Sequence, residues 1–127
     1  MGGGGRKGLS GGRFRVAGWS GLGGSLAAMS TSNVTVVATM KAKPGQEANL
    51  REALLALIPP TRGEEGCLNY DLHQAAEERG TFLFHENWTS KAALDAHLAN
   101  THLQDFLGKA DALLAEPPRI TLWTKIG

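Results

Sequence analysis

The chain has 127 residues, 42% of them apolar and 6% aromatic, enough for one compact domain with one core and too few for two. Its formal charge of +1 belongs to residues 1–28, which hold four of the thirteen basic residues and no acid; the remainder carries nine basic and twelve acidic residues, a net of −3, and suggests no nucleic-acid surface. No run approaches the roughly 18 apolar residues of a membrane span, and the single cysteine, Cys67, rules out an intrachain disulfide or a thiolate zinc cluster and suits a reducing cytoplasm.

Residues 1–28 hold eleven of the seventeen glycines, with isolated arginines between them, and lack both a helical period and the apolar mass to offset the entropy of ordering. They are expected to be a disordered extension. Met29 stands just before the first periodic segment, so translation starting there is the plainest account, and a weak organelle-targeting segment is the alternative. The domain is assigned to residues 29–127.

Val34, Val36, Ala38 and Met40 alternate with Thr35, Val37, Thr39 and Lys41, the pattern of a strand with one apolar face, and Pro44-Gly45 ends it. Leu50, Ala53, Leu54, Leu57 and Ile58 recur at helical spacing, predicting a helix over 46–58 that Pro59-Pro60 stops. Runs 67–74 and 81–88 flank a charged turn and read as a hairpin. Pairing Gln74 with Gly80 sets Tyr70 opposite Phe84 and Leu68 opposite Glu86 if no bulge intervenes. Leu68, Tyr70, Leu72, Phe82, Phe84, Glu86 and Trp88 then share one face, and Asn69, Asp71, His73, Leu83, His85 and Asn87 the other.

Ser90 is a good N-cap for a short helix through about Ala99, and Thr101 with Gln104 forms a capping-box pattern at the start of another that carries Leu103, Phe106, Leu107, Ala110, Leu113 and Leu114. After Pro117-Pro118, Ile120, Leu122, Thr124 and Ile126 alternate in a last strand. The order is βαββαβ with a broken second helix, an α+β ferredoxin-like sandwich with an antiparallel sheet and helices on one face. Val37, Leu83 and Trp123 put apolar mass on the other face, which a second sheet in a symmetric homodimer would cover. A half-polar face in water is the alternative.

Glu86 is the oddest residue of the apolar face. Between Phe84 and Trp88 its ionisation is costly, so its pKa should rise or a donor should reach it. It either fixes architecture, accepting from Tyr70, an indole, a backbone N–H or a partner-chain arginine, or it contacts substrate or orients a catalytic histidine. His97 and His102 would point roughly 140° apart on one continuous helix. The break at Asn100-Thr101 lets them meet. The helix dipoles favour a protonated His97 at a C-terminus and a neutral His102 in a first turn, making His102 the better general base and His97 a donor. A core His97 and a solvated His102 are the bland reading. Tyr70, Phe84 and Trp88 could stack on an aromatic ring or be core only. No histidine pair has a metalloenzyme spacing, so no metal is expected, and neither a phosphate-binding glycine loop nor a nucleophile elbow is present.

At Glu64-Glu65-Gly66-Cys67-Leu68-x-Tyr70, Glu86-x-Trp88 and His97-Leu98-x-x-x-His102-x-x-x-Phe106, with Pro44-Gly45 before the first helix, the chain resembles the antibiotic biosynthesis monooxygenase family, in particular its quinol monooxygenase-like members, over about residues 33–126. The resemblance implies a dimeric α/β barrel with a pocket between helices and sheet in each monomer. It also implies oxidation of a quinol or similar electron-rich aromatic compound by molecular oxygen without flavin, haem or metal. His102 or His97 would be the base, Tyr70 and Glu86 would orient phenolic oxygens, and Trp88, Phe84 and Phe106 would pack the rings. Haem-degrading relatives use an asparagine within the first strand, where this sequence has only Asn33 at the edge. Isomerisation or processing of a small hydroxycarbonyl compound, and non-catalytic ligand binding or a stress-response role, are the alternatives.

Overall fold

The computed structural model describes residues 32–127. The expected disordered extension 1–28 and the boundary at Met29 lie outside the described residues. In chain order the elements are β1 (Val34–Lys41), α1 (Glu47–Ala56), α2 (Ile58–Arg62), β2 (Cys67–Gln74), β3 (Thr81–Trp88), α3 (Lys91–Leu98), α4 (Thr101–Leu113) and β4 (Arg119–Trp123). The sheet order is β2-β3-β1-β4 and every pairing is antiparallel, which is the expected ferredoxin-like α+β fold. The alternation in β1 buries Val36, Ala38 and Met40; with Tyr70, Phe82, Phe84 and Trp88 they meet Leu50, Leu54, Leu94, Leu103, Phe106 and Ala110 of the helices in one core.

Several local expectations are corrected. Pro59 and Pro60 do not stop the helical chain but sit at the first positions of α2, where a missing N–H costs nothing. Asn100, not Thr101, caps α4: its side chain accepts from the Thr101 N–H, while the Gln104 amide donates to the Leu98 carbonyl instead of closing a box. The last strand is shorter than expected: it ends at Trp123, which pairs with Thr35, and Thr124 to Ile126 lie beyond it.

The hairpin register is two residues from the expected one, with Gln74 opposite Phe82, Leu72 opposite Phe84 and Tyr70 opposite Glu86. Gly80 is not available for Gln74 because its carbonyl accepts from Ala42 N–H at 2.8 Å, closing the end of β1. A shift of two keeps every side chain on its predicted face. Between Cys67 and Asn69 a bulge breaks the ladder, and it expels Leu68, which is 53% exposed instead of sharing the inner face. The outer face carries Asn69, Asp71, His85 and Asn87 as predicted, with Asn69 donating to Asp71 at 2.9 Å and accepting from Asn87 at 2.7 Å. No helix among the described residues is long and apolar enough to cross a membrane.

Candidate functional site

The break between α3 and α4 does what the histidine spacing required. Ser90 starts α3 by accepting from the Ala93 N–H, and His97 falls in its last turn; Asn100 then restarts the chain so that His102 lies in the first turn of α4. Both rings reach one carboxylate oxygen. His97 Nδ1 lies 3.1 Å and His102 Nε2 2.7 Å from Glu64 Oε2. An ionised carboxylate only accepts, so Nδ1–H of His97 donates to it, leaving Nε2 as the lone-pair nitrogen of that ring, while His102 Nε2 touches the same oxygen as a charge contact and makes its hydrogen bond with Thr61 Oγ1.

Glu64 entered the sequence reading only as part of the family motif and was given no role in the site. It stands in the turn between α2 and β2, two residues before Gly66, whose φ of +89° few side chains adopt. Gly66 also packs tightly on the start of α3, and a Cβ there would lie 2.5 Å from Ala93 Cβ and 2.8 Å from Thr89 Oγ1. The Gly66 carbonyl accepts from the Thr89 N–H at 2.9 Å, holding the turn against the end of β3. Thr61, fully buried in α2, was missed as well: its Oγ1 lies 3.1 Å from His102 Nε2, and its hydroxyl hydrogen-bonds with Tyr70. A chain of polar groups thus runs Tyr70, Thr61, His102, Glu64, His97.

The sheet forms the floor. The Tyr70 and Phe84 rings stack at 4.3 Å, His97 lies tilted over Trp88 at 4.6 Å, and Tyr70 presents an edge to His97 at 5.4 Å. Trp88 Nε1–H donates to Glu86 Oε1 at 2.8 Å, so of the donors open from sequence it is an indole that reaches the carboxylate. Phe106 is buried in the same core but makes no ring contact with these side chains among the described residues. It lies four residues after His102, on the same face of α4.

Burial sets the electrostatics. Glu86 is 4% exposed, and desolvation, opposed by the Trp88 hydrogen bond and reinforced by the Glu64 charge, pushes its pKa up to about 7. Burial pushes Tyr70 well above the usual phenol range, with Glu86 adding to it. His97 is lowered, again chiefly by burial, although its bond to Glu64 opposes the shift. This runs against the dipole-based expectation of a protonated His97, since burial disfavours the charged ring. His102, with 22% of its side chain exposed, is the member of the pair nearer to solvent. His73 and His85 stay on the other face, away from the pair, and the Cys67 thiol is held up by burial.

Fold and site together define a small ferredoxin-like domain with a buried, carboxylate-bridged histidine pair. Residues 33–109 match the family model described as "Antibiotic biosynthesis monooxygenase". Among similar proteins, "Putative monooxygenase Rv0793" of Mycobacterium tuberculosis is 37% identical over 92 residues, covering 72% of this chain and 90% of that protein. "Putative monooxygenase YcnE" of Bacillus subtilis is 32% identical over 84 residues, covering 66% of this chain and 88% of that protein. The crystal structure of PA3566 from Pseudomonas aeruginosa superposes with a TM-score of 0.72 at 37% identity, covering 78% of this chain and 98% of the other. The chain belongs to the antibiotic biosynthesis monooxygenase family, as the motifs in its sequence suggested. Membership and the names of these relatives support a monooxygenase-like function and, with it, an oxidoreductase.

Proposed function

We propose that this domain is a cofactor-independent monooxygenase that oxidises a quinol or related electron-rich aromatic compound with molecular oxygen. The observation that carries the reading is the pair of imidazoles held by one oxygen of Glu64 beside Tyr70. Glu64 fixes the tautomer of His97 and Thr61 holds the His102 ring beside it, and a neutral imidazole keeps one lone pair, which is what proton removal from a phenol requires. His102 takes the proton at Nδ1, since its exposed edge lets the imidazolium be hydrated, and Glu64 stabilises the new charge. His97, neutral in its burial, orients the substrate. Glu86 and Tyr70 address the phenolic oxygens, while Phe84, Trp88 and Phe106 pack the rings.

The deprotonated ring passes one electron to oxygen, and the resulting pair combines into a carbon-bound peroxide. Cleavage of the O–O bond with loss of water leaves one oxygen atom on the ring. All four electrons come from the substrate, so a quinol and one O2 give a hydroxyquinone and one water, with no external reductant. Excluding bulk water protects the anion meanwhile. A homodimer in the cytoplasm, its two sheets covering Val37, Leu83 and the 58% exposed Trp123, is part of the same proposal.

The test is oxygen uptake by metal- and flavin-free protein with reduced naphthoquinols and anthrones, comparing wild type with His97→Ala and His102→Ala. Uptake above autoxidation that falls about 100-fold or more in His102→Ala supports the reading. Uptake equal to the blank across the panel overturns it in favour of an isomerase of small hydroxycarbonyl compounds or a ligand-binding dimer.

A further inference from the structure

Glu64 carries its charge in a nearly closed setting, with 11% of its side chain exposed, and its only ion-pair partners among the described residues are the two imidazoles. No ammonium or guanidinium balances it there. Its Oε2, His97 Nδ1 and His102 Nε2 all lie within 4.8 Å of one another. We propose that Glu64, His97 and His102 form a binding site for a divalent transition-metal ion of the zinc type, a state distinct from the hydrogen-bonded one used in turnover. Two imidazole nitrogens and one carboxylate oxygen are a donor set that zinc and cobalt(II) accept, with a further position left for water or an anionic ligand.

The separations suit the ion. Bonds of about 2.0–2.2 Å to a tetrahedral centre set neighbouring donors about 3.3 Å apart, and the observed nitrogen-to-oxygen distances are 3.1 and 2.7 Å. The remaining adjustment falls to His102, the most exposed of the three. The donors come from three places, the α2–β2 turn, the end of α3 and the start of α4, and each is already positioned. Gly66 locks the turn on α3, Trp88 lies beneath the His97 ring, and Thr61 meets His102. Sequence spacing conceals the site, because the carboxylate lies 33 residues before the first histidine.

The ion would take a lone pair on His97 Nδ1 in place of its N–H bond to Glu64, and one on His102 Nε2 in place of its contacts with Glu64 and Thr61, so each ring would carry its proton on the opposite nitrogen. Metal-bound protein could not then use His102 Nδ1 as a base. Binding itself does not depend on any turnover, so the site stands or falls separately from the proposed oxidation.

The experiment is equilibrium dialysis of the full chain against Co2+, with ligand-field absorption and displacement by Zn2+, on wild type, Glu64→Gln, His102→Gln and the outer-face control His85→Gln. One ion per chain, displaced by Zn2+, unchanged in His85→Gln and weaker by more than about 100-fold in both site variants, is the expected result, since losing even a supporting residue typically costs 10–100-fold. Should the site variants fail to fold, nuclear magnetic resonance of the wild-type histidine rings decides. Zn2+ should shift the resonances of His97 and His102 and leave those of His73 and His85 in place. Absence of a bound ion, equal binding by the site variants, or shifts confined to His73 and His85 would overturn the proposal.

Discussion

Replacing Glu86 with glutamine should stabilise the protein at neutral and alkaline pH. Glu86 is buried on the helix side of β3 with one oxygen bonded to Trp88 Nε1, and its pKa stands at about 7 against 4.5 for a free glutamate. A raised folded-state pKa means that the folded chain binds more protons than the unfolded chain between these values. The stabilising contribution of the protonated group is therefore fully present below pH 4.5, declines as pH rises, and is gone above about 7. At 1.36 kcal/mol per pH unit, the difference corresponds to about 3 kcal/mol of destabilisation of the wild type above pH 7. Glutamine keeps an oxygen for the Trp88 indole and carries no charge. The stability difference between Glu86→Gln and wild type should thus be close to zero at pH 4, open through the window and level off at about 3 kcal/mol by pH 8. With a urea dependence of roughly 1.5 kcal/mol per molar, that is a midpoint about 2 M higher. Taking the difference between the two proteins removes the opposite slope contributed by His97, which is neutral in the fold and must charge on unfolding at low pH. A difference that stays flat with pH, or a variant less stable than wild type at pH 8, would refute the assignment of Glu86 as a buried carboxylate whose desolvation outweighs its Trp88 hydrogen bond.

Gly66→Ala should cost about 3 kcal/mol in urea unfolding. The left-handed backbone contributes roughly 1–2 kcal/mol and overpacking against Ala93 and Thr89 roughly 1–3 kcal/mol, and a loss below 1 kcal/mol would show that the turn can move off α3. Leu68→Ser should change stability by less than about 0.5 kcal/mol, because the bulge puts this leucine in solvent; a loss of about 2 kcal/mol or more would instead support the unbulged register, with Leu68 in the core.

The architecture was legible because two periodicities are clean in this chain. Alternation in β1 and the spacing of Leu103, Phe106, Ala110 and Leu113 in α4 each leave one arrangement in which apolar faces meet. What was not legible depended on backbone contacts between distant segments. The hairpin register was decided by Ala42, which takes the Gly80 carbonyl, and no pattern within 67–88 encodes that claim. The capping box failed for a similar reason, since Gln104 finds the Leu98 carbonyl across the helix break.

The site divides along the same line. His97, His102, Tyr70, Trp88 and Glu86 could be named because each is an unusual residue within a periodic element, whereas Glu64 is one of two adjacent glutamates in a turn. Local pattern cannot tell which of Glu64 and Glu65 is buried. The structure leaves Glu65 exposed and sends Glu64 to the histidines. The one local clue is Gly66. A glycine held at positive φ and packed against Ala93 brings the turn onto α3, and once the turn is there the carboxylate two residues earlier is within reach of His97 and, across the helix break, of His102. The centre is therefore a product of two interruptions, a glycine turn and a broken helix. Neither carries chemistry alone, yet together they bring one nitrogen of each imidazole to a single carboxylate oxygen.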